Sequence, residues 1–200
     1  MSEEEKNKVI EAINKRKPEV RAWLDRTIWK DYDQKDGYHA WYVDEESGCR
    51  SIKSQIVINK SMKEILDFVL NVDNKGKYDH NLRSAKNITK YDDTYELHYY
   101  RYKGTFFIED RDFYVGCYHK TGDDFSEIFC TSYEDPKYGP ENKVTRAECI
   151  YAGWEFKKQN DGILCTYYTL GNMNLNQTLV NTTLGEVAKQ VVYLKELLEK

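Results

Sequence analysis

The charged residues best placed to do chemistry lie in the segment TFFIEDRDFYVG, residues 105–116, where an arginine and three acids interrupt a run of aromatic and β-branched residues. A cluster of carboxylates such as Glu109, Asp110 and Asp112 can raise one pKa enough to create a general acid or base. The effect is small beside a solvated loop, so we expect these acids to be hydrated or paired with arginine. We predict no catalytic residue here.

Other signatures of catalysis or metal binding are missing from the sequence. It contains no GxSxG, GxxxxGK[ST] or GxGxxG motif, which removes the usual local marks of hydrolases, P-loop proteins and dinucleotide-binding proteins. The histidines have no HExxH or CxxC partners; they are His39, His80, His98 and His119. We therefore expect no metal, no cofactor and no enzyme activity.

Composition points to one domain over residues 1–200. The 30 basic and 34 acidic residues nearly balance and form no long basic run, which argues against nucleic acid as a partner. The acidic start MSEEEKNKVIEAINK lacks the features of a secretory signal, so we expect a cytoplasmic protein. Five scattered cysteines without a CxxC pair predict free, mostly buried thiols.

The elements that must position these residues can be predicted from periodicity and turn signals. We expect a helical segment over residues 1–32, broken near Pro18, and a hairpin between Tyr38 and about residue 58. Ser61 with Glu64 forms a capping box that begins a helix, and residues 73–79 have room for a short helix or turn. Six strands follow, at about 84–91, 94–103, 111–119, 125–134, 144–157 and 162–171.

The last segment carries one apolar stripe at helical spacing, which predicts a long closing helix. The stripe consists of Val180, Leu184, Val187, Val191, Leu194 and Leu198. Seventeen tyrosines favour β structure in the middle of the chain. The expected fold class is therefore α+β, with an antiparallel meander that buries one face against the closing helix.

Several short motifs occur in the order seen in one protein family. They are Trp41 before a charged turn and a strand, KYDHNLRSAKNI after the second helix, RDF at 111–113, TRAE at 145–148, GW at 153–154, and NLNQTLVNTTL entering the last helix. Over nearly its whole length the chain resembles a START (StAR-related lipid-transfer) domain, of the helix-grip or Bet v 1-like superfamily.

The resemblance implies a curved antiparallel sheet wrapped around the long C-terminal helix, with an internal hydrophobic tunnel for one lipid. The expected function is to carry a phospholipid, or alternatively a sterol, and to transfer it between membranes as a monomer. The loop at 103–110 and a gating helix at 175–200 would control access. Membrane contact would be peripheral, through Phe106 and Phe107 in that loop, because no apolar run reaches the ~20 residues of a membrane span.

Alternation along the RDF strand puts Arg111, Phe113, Val115 and Cys117 on one face, which we expect to face the tunnel. A buried arginine must meet an acid, backbone carbonyls or an anionic part of the ligand such as a phosphate. The alternative is that Arg111 only staples the strand end to a neighbouring loop. Several relatives carry a second tunnel arginine six residues later, where this chain has Cys117.

Further ligand contacts are expected from the neighbouring elements. On the preceding strand Leu97, Tyr99 and Arg101 share one face, and Arg101 either supplies the missing cation or lies exposed at the strand end. We expect Trp154 to form a cavity wall. Val187 and Val191 of the closing helix would floor the tunnel.

Two other functions stay open at this stage. One is a cyclase-like or hydratase-like enzyme on the same fold, which needs a titratable pair inside the cavity, such as His98 with Glu96 or Tyr99 with an acid. The other is a protein-interaction module whose interior is filled by bulky side chains.

Overall fold

One large sheet organises the fold in the computed structural model, which describes residues 3–104, 107–139, 141–175, 180 and 183–200. The helices are α1 Glu3–Leu24, α2 Met62–Val69, α3 Lys75–Tyr78, α4 Leu184–Ala188 and α5 Gln190–Leu198. The strands are β1 Lys30–Lys35, β2 Tyr38–Asp44, β3 Arg50–Ile58, β4 Leu82–Lys90, β5 Tyr95–Tyr102, β6 Asp110–Lys120, β7 Phe125–Ser132, β8 Val144–Arg146, β9 Glu148–Gln159 and β10 Gly162–Asn172.

The strands lie in the order β1-β2-β3-β10-β9-β7-β6-β5-β4, and neighbours along this path are antiparallel. The short strand β8 lies off the path and pairs in parallel with the start of β6. This confirms the predicted α+β class, the hairpin and the meander. Strand β1 was not predicted, because its first three residues fall inside the segment expected to be helical, residues 1–32, and the rest fall in the connection to the hairpin.

The inner face of the sheet packs against the C-terminal helices, as the resemblance implies. Apolar residues of β3 and of the terminal stripe share one core, which includes Ile52, Ile56, Ile58, Leu184, Val191 and Leu194. The closing segment is two helices, α4 and α5, separated at Lys189. It is therefore less regular than the single helix predicted over 175–200, of which residues 176–179, 181 and 182 lie outside the described residues.

The outer face of the sheet is covered by α1, which packs on β5, β6, β7 and β9. Val9 and Ile13 of this helix are fully buried there. The predicted break at Pro18 is wrong, because α1 runs unbroken through it. Proline costs the helix one hydrogen bond, but buried residues on both sides of it, Ile13 and Val20, hold the two halves against the sheet.

The connection between α2 and β4 is built by side-chain caps. The predicted capping box is present, with Glu64 N donating to Ser61 Oγ at 3.2 Å and Ser61 N donating to Glu64 Oε2 at 3.0 Å. A 3-10 turn and α3 follow, where a short helix or turn was predicted. This compact connection brings Lys75 and Tyr78 to the inner face of the sheet.

Candidate functional site

A cavity of about 320 Å³ lies between the inner face of the sheet and the closing helices. It is lined by five of the predicted contact residues, Phe113, Val115, Cys117, Trp154 and Val187. The prediction for Val191 is wrong, because its side chain is fully buried in the core and does not line the cavity. The volume is at the lower end of the range for small-molecule sites, ~300–1,000 Å³. Its presence argues against the alternative of a solid interior.

The prediction for the neighbouring strand β5 is wrong by one residue in phase. Leu97 and Tyr99 are buried on the outer face, in the core formed with α1, and His98, Tyr100 and Tyr102 line the cavity instead. The error arose because β5 is covered on both faces, so that aromatic and apolar residues occur at odd and even positions alike. Alternation alone cannot then show which set faces inward.

Arg111 is buried but does not line the cavity. Its guanidinium donates to the carbonyl oxygens of Glu109 at 2.6 Å and Met173 at 3.1 Å. The sequence left three kinds of partner open for Arg111, namely an acid, backbone carbonyls or an anionic part of the ligand. The structure shows backbone carbonyls. The contacts tie the start of β6 to the segment that leads from β10 towards the closing helices.

Arg101 also lies outside the cavity wall. It is therefore not the missing tunnel cation, and it lies near the end of β5, as the other interpretation of the sequence proposed. Its Nε donates to Asp110 Oδ2 at 2.6 Å, and the same oxygen accepts from Arg83 Nε at 2.7 Å. Asp110 Oδ1 accepts from the backbone of Gly104 at 3.0 Å. Burial alone would raise the pKa of Asp110, but hydrogen bonds from Gly104 and Arg101 lower it. This carboxylate therefore joins both ends of the 103–110 loop.

The other acids of the charged segment are paired in the same way. Asp112 is fully buried and accepts from Arg146 Nε at 2.7 Å, which joins the RDF and TRAE motifs. Glu109 accepts from the Thr145 hydroxyl at 3.0 Å. The charged residues at 109–112 thus form a frame for the loop, and none of them lines the cavity.

Lys75 is the most deeply buried of the three lysine and arginine residues that line the cavity in the described ranges, the others being Arg50 and Lys103, and no sequence motif pointed to it. Its side chain is 13% exposed, and that of Asp79, one helical turn later, is 2% exposed. Lys75 Nζ lies 3.5 Å from Asp79 Oδ2, and the same carboxylate oxygen accepts from Tyr102 OH at 2.9 Å. The spacing of four residues between Lys75 and Asp79 in KGKYD, residues 75–79, was the signal that could have identified this pair.

The ammonium group of Lys75 stays charged in this environment. Burial alone would lower its pKa, but attraction to Tyr102, Tyr78 and Asp79 raises the pKa well above the usual value. Nζ lies 5.0 Å from the centre of the Tyr100 ring and 5.7 Å from that of Tyr78. Within the described residues none of its three N–H groups forms a hydrogen bond of ordinary length.

A second polar group lies further along β5. His98 Nε2 is 2.6 Å from Glu96 Oε2, and His98 Nδ1 is 2.7 Å from Tyr100 OH. This is the titratable pair that the enzyme alternative required. However, both ring nitrogens of His98 already have protein partners, so the residue has no free nitrogen to act as a base on a ligand.

The cavity reaches the surface beside the 103–110 loop, because Lys103 and Thr183 line it and are solvent-exposed. Phe107 in the same loop is 96% exposed, whereas Phe106 lies outside the described residues. None of the helices in the described ranges is long and apolar enough to cross a membrane. Those ranges also hold no cluster of metal-ligating side chains.

A curved sheet gripping a C-terminal helix around a cavity defines the helix-grip class. The START domain family model matches residues 20–194, and the chain belongs to this family. Members of the START family generally bind or transfer lipids. A comparison with curated protein sequences gives no significant match.

Solved START structures share the fold at low sequence identity. Human StAR-related lipid transfer protein 5 has a TM-score of 0.83 and 15% identity, with 98% of each chain covered. Human STARD10 has a TM-score of 0.79 and 17% identity, over 92% of this chain and 78% of that one. A STAR-related lipid transfer protein from Xanthomonas axonopodis has a TM-score of 0.69 and 16% identity, over 86% and 99%. At these identities the similarity establishes the fold.

Proposed function

We propose that the protein binds one phospholipid in this cavity, with the phosphate beside Lys75, and transfers it between membranes without catalysis. The observation that carries this proposal is the ammonium of Lys75 in the cavity wall, whose ion-pair partner Asp79 lies 3.5 Å away, beyond the usual hydrogen-bond length. A buried charge with unsatisfied donors is costly. A phosphate oxygen would satisfy them with charge-assisted hydrogen bonds.

The rest of the cavity suits the apolar part of such a ligand. Its wall is mainly aliphatic, aromatic and thiol side chains, with Trp154, Tyr167 and Phe113 among the largest. Transfer of apolar surface from water into such a wall contributes about 25 cal/mol per Å². Binding of a lipid therefore needs no covalent step.

A two-chain lipid is bulky for a cavity of about 320 Å³, so we expect the cavity to widen when the lipid binds. We propose that the 103–110 loop and residues 175–200 act as the gate, because Lys103 and Thr183 of these segments line the cavity where it reaches the surface. Phe107 extends from that loop into solvent and would enter the headgroup layer during transfer. The cytoplasmic location and the monomeric state expected from the sequence stay predictions.

The experiment compares phospholipid loading in variants of two lysines on the same short helix. Protein is incubated with phosphatidylcholine vesicles and isolated again, and lipid phosphate is measured per protein chain. Lys75→Met, paired with Asp79→Asn to avoid leaving an uncompensated buried acid, should weaken loading by tenfold or more. Lys77→Met is the control, because Lys77 is exposed and lies outside the cavity wall.

Equal loading by the Lys75 double variant and the Lys77 variant would contradict the phosphate contact. Loading of cholesterol but not of phosphatidylcholine by the wild-type protein would replace phospholipid with sterol as the ligand. Lys75→Arg should retain binding, since a guanidinium also donates to phosphate.

A further inference from the structure

The end of the cavity furthest from the mouth contains a polar side chain that the proposed function does not use. In the pairing of β5 with β6, Tyr102 lies opposite Arg111 beside the 103–110 loop, and His119 N donates to the Thr94 carbonyl at the other end. His119 is 8% exposed, and its side chain lines the cavity. The residue therefore marks the closed end.

The imidazole of His119 has unused hydrogen-bonding capacity. Neither of its ring nitrogens has a hydrogen-bond partner among the residues that the structure describes. Burial lowers the pKa of His119 to about 4, so that the ring is neutral near pH 7. A neutral imidazole offers one N–H donor and one nitrogen acceptor.

The charged and titratable groups that act on this imidazole are Glu96, His98 and Lys90. His98 cannot satisfy it, because both nitrogens of His98 are used by Glu96 and Tyr100. A ligand carboxylate is also disfavoured here, since Glu96 is held ionised by His98 with a lowered pKa and would repel it. The group that complements His119 is an uncharged oxygen function that accepts a hydrogen bond, such as a hydroxyl or a keto group.

We propose that the closed end of the cavity recognises a hydroxyl or keto oxygen on the hydrocarbon part of the ligand, through His119. This inference rests on the proposed function and narrows its ligand class to phospholipids with an oxygenated acyl chain. Lys75 Nζ lies 5.0 Å from the centre of the Tyr100 ring, the Tyr100 ring lies 5.7 Å from that of His98, and the His98 ring lies 6.4 Å from that of His119. The ammonium of Lys75 and the ring of His119 are therefore at most about 17 Å apart.

The length agrees with an acyl chain that runs from a phosphate at Lys75 to the closed end. One leaflet of a bilayer gives its acyl chains about 15 Å, half of a hydrocarbon core of ~30 Å. An oxygen in the half of the acyl chain further from the phosphate would therefore reach His119. The apolar neighbours Val115 and Ile128 line the cavity as well and suit the methylene groups around that oxygen.

The test offers the full chain vesicles that contain equal amounts of two phosphatidylcholines, one with an octadecanoyl and one with a 12-hydroxyoctadecanoyl chain at the sn-2 position. The protein is isolated again, and the bound lipids are quantified by mass spectrometry. We expect wild-type protein to be enriched in the hydroxylated lipid about fivefold or more over the vesicle ratio, as one added neutral hydrogen bond would produce. His119→Phe should bind both lipids equally, and His119→Gln should keep part of the preference.

The outcomes separate this inference from the proposed function. Equal binding of both lipids by folded wild-type protein overturns the inference and leaves phospholipid carriage intact. Binding of neither overturns both. A parallel incubation with vesicles containing cholesterol tests the other source of a hydroxyl group, and loading of cholesterol in preference to both phospholipids would also overturn the acyl-chain assignment. Undiminished preference in His119→Phe would reassign the recognition to another residue.

Discussion

Replacement of Arg111 by methionine distinguishes a loop anchor from a ligand contact. The change removes hydrogen bonds to three backbone carbonyls, those of Glu109 at 2.6 Å and Met173 at 3.1 Å and a long one to Asn174 at 3.5 Å. A hydrogen bond to a charged group contributes ~1.5–3 kcal/mol. Loss of the buried charge offsets part of the total, so we expect the free energy of unfolding to fall by about 2–4 kcal/mol.

The assay is urea unfolding followed by tryptophan fluorescence, together with lipid loading of the folded variant. Arg101→Met is the comparison, because this arginine is partly exposed and its partner Asp110 keeps Arg83 and Gly104. Its loss should reduce stability much less than the loss of Arg111. We expect Arg111→Met to lose stability but still to bind lipid when folded. Unchanged stability with lost lipid binding would contradict the role of Arg111 as a loop anchor and would show that it contacts the ligand.

Three further predictions concern pH, packing and membrane contact. His119 has a pKa of about 4 in the folded protein against 6.5 in the unfolded chain. Its contribution to the free energy of unfolding is therefore complete above pH 6.5 and is lost as the pH falls to about 4, a loss on the order of 3 kcal/mol. Unfolding of His119→Phe, measured over the same pH range, should lack this loss. Gly116→Ala should destabilise by about 1–3 kcal/mol, since its Cβ would lie 2.9 Å from Val9 Cγ1, and adding Val9→Ala should recover part of the loss in thermal unfolding. Phe107→Ser should leave stability within ~0.5 kcal/mol and reduce sedimentation with vesicles severalfold, whereas an equal reduction for Phe125→Ser, remote from the loop, would contradict a specific role for Phe107.

The architecture could be predicted from the sequence because local signals and long-range packing agree in most elements. The capping box at Ser61 begins α2 as expected, and the terminal stripe supplies the buried Leu184, Val191 and Leu194. Strand β1 gave no such signal. All six of its residues are exposed, so it lacks the alternation by which a half-buried strand is identified.

The site was harder to predict than the fold. Residues of β6, which begins with the recognisable RDF motif, were placed on the correct face from Phe113 to Cys117. Those of β5 were not, because α1 buries its outer face and removes the polar side of the alternation. Lys75 was missed for a different reason, since only the folded connection between α2 and β4 shows that a lysine among exposed polar residues enters the cavity.

Arg111, in the charged residues 109–112, is a third case in which the sequence could not identify the contacts. The sequence predicted that a buried Arg111 must have partners, but it could not choose between a carboxylate, carbonyls and a ligand. The choice depends on the carbonyl of Met173, which is 62 residues away in the chain. Such contacts between distant segments carry no local pattern.

The central claim is that the cavity holds one phospholipid. Native mass spectrometry of the protein purified from cells, followed by extraction and identification of the bound lipid, tests this claim most directly. The account predicts a mass increase equal to one phospholipid per chain, with the lipid lost from the Lys75→Met/Asp79→Asn variant and retained by Lys77→Met. A protein that is free of lipid, or that carries a lipid without phosphate, would contradict it.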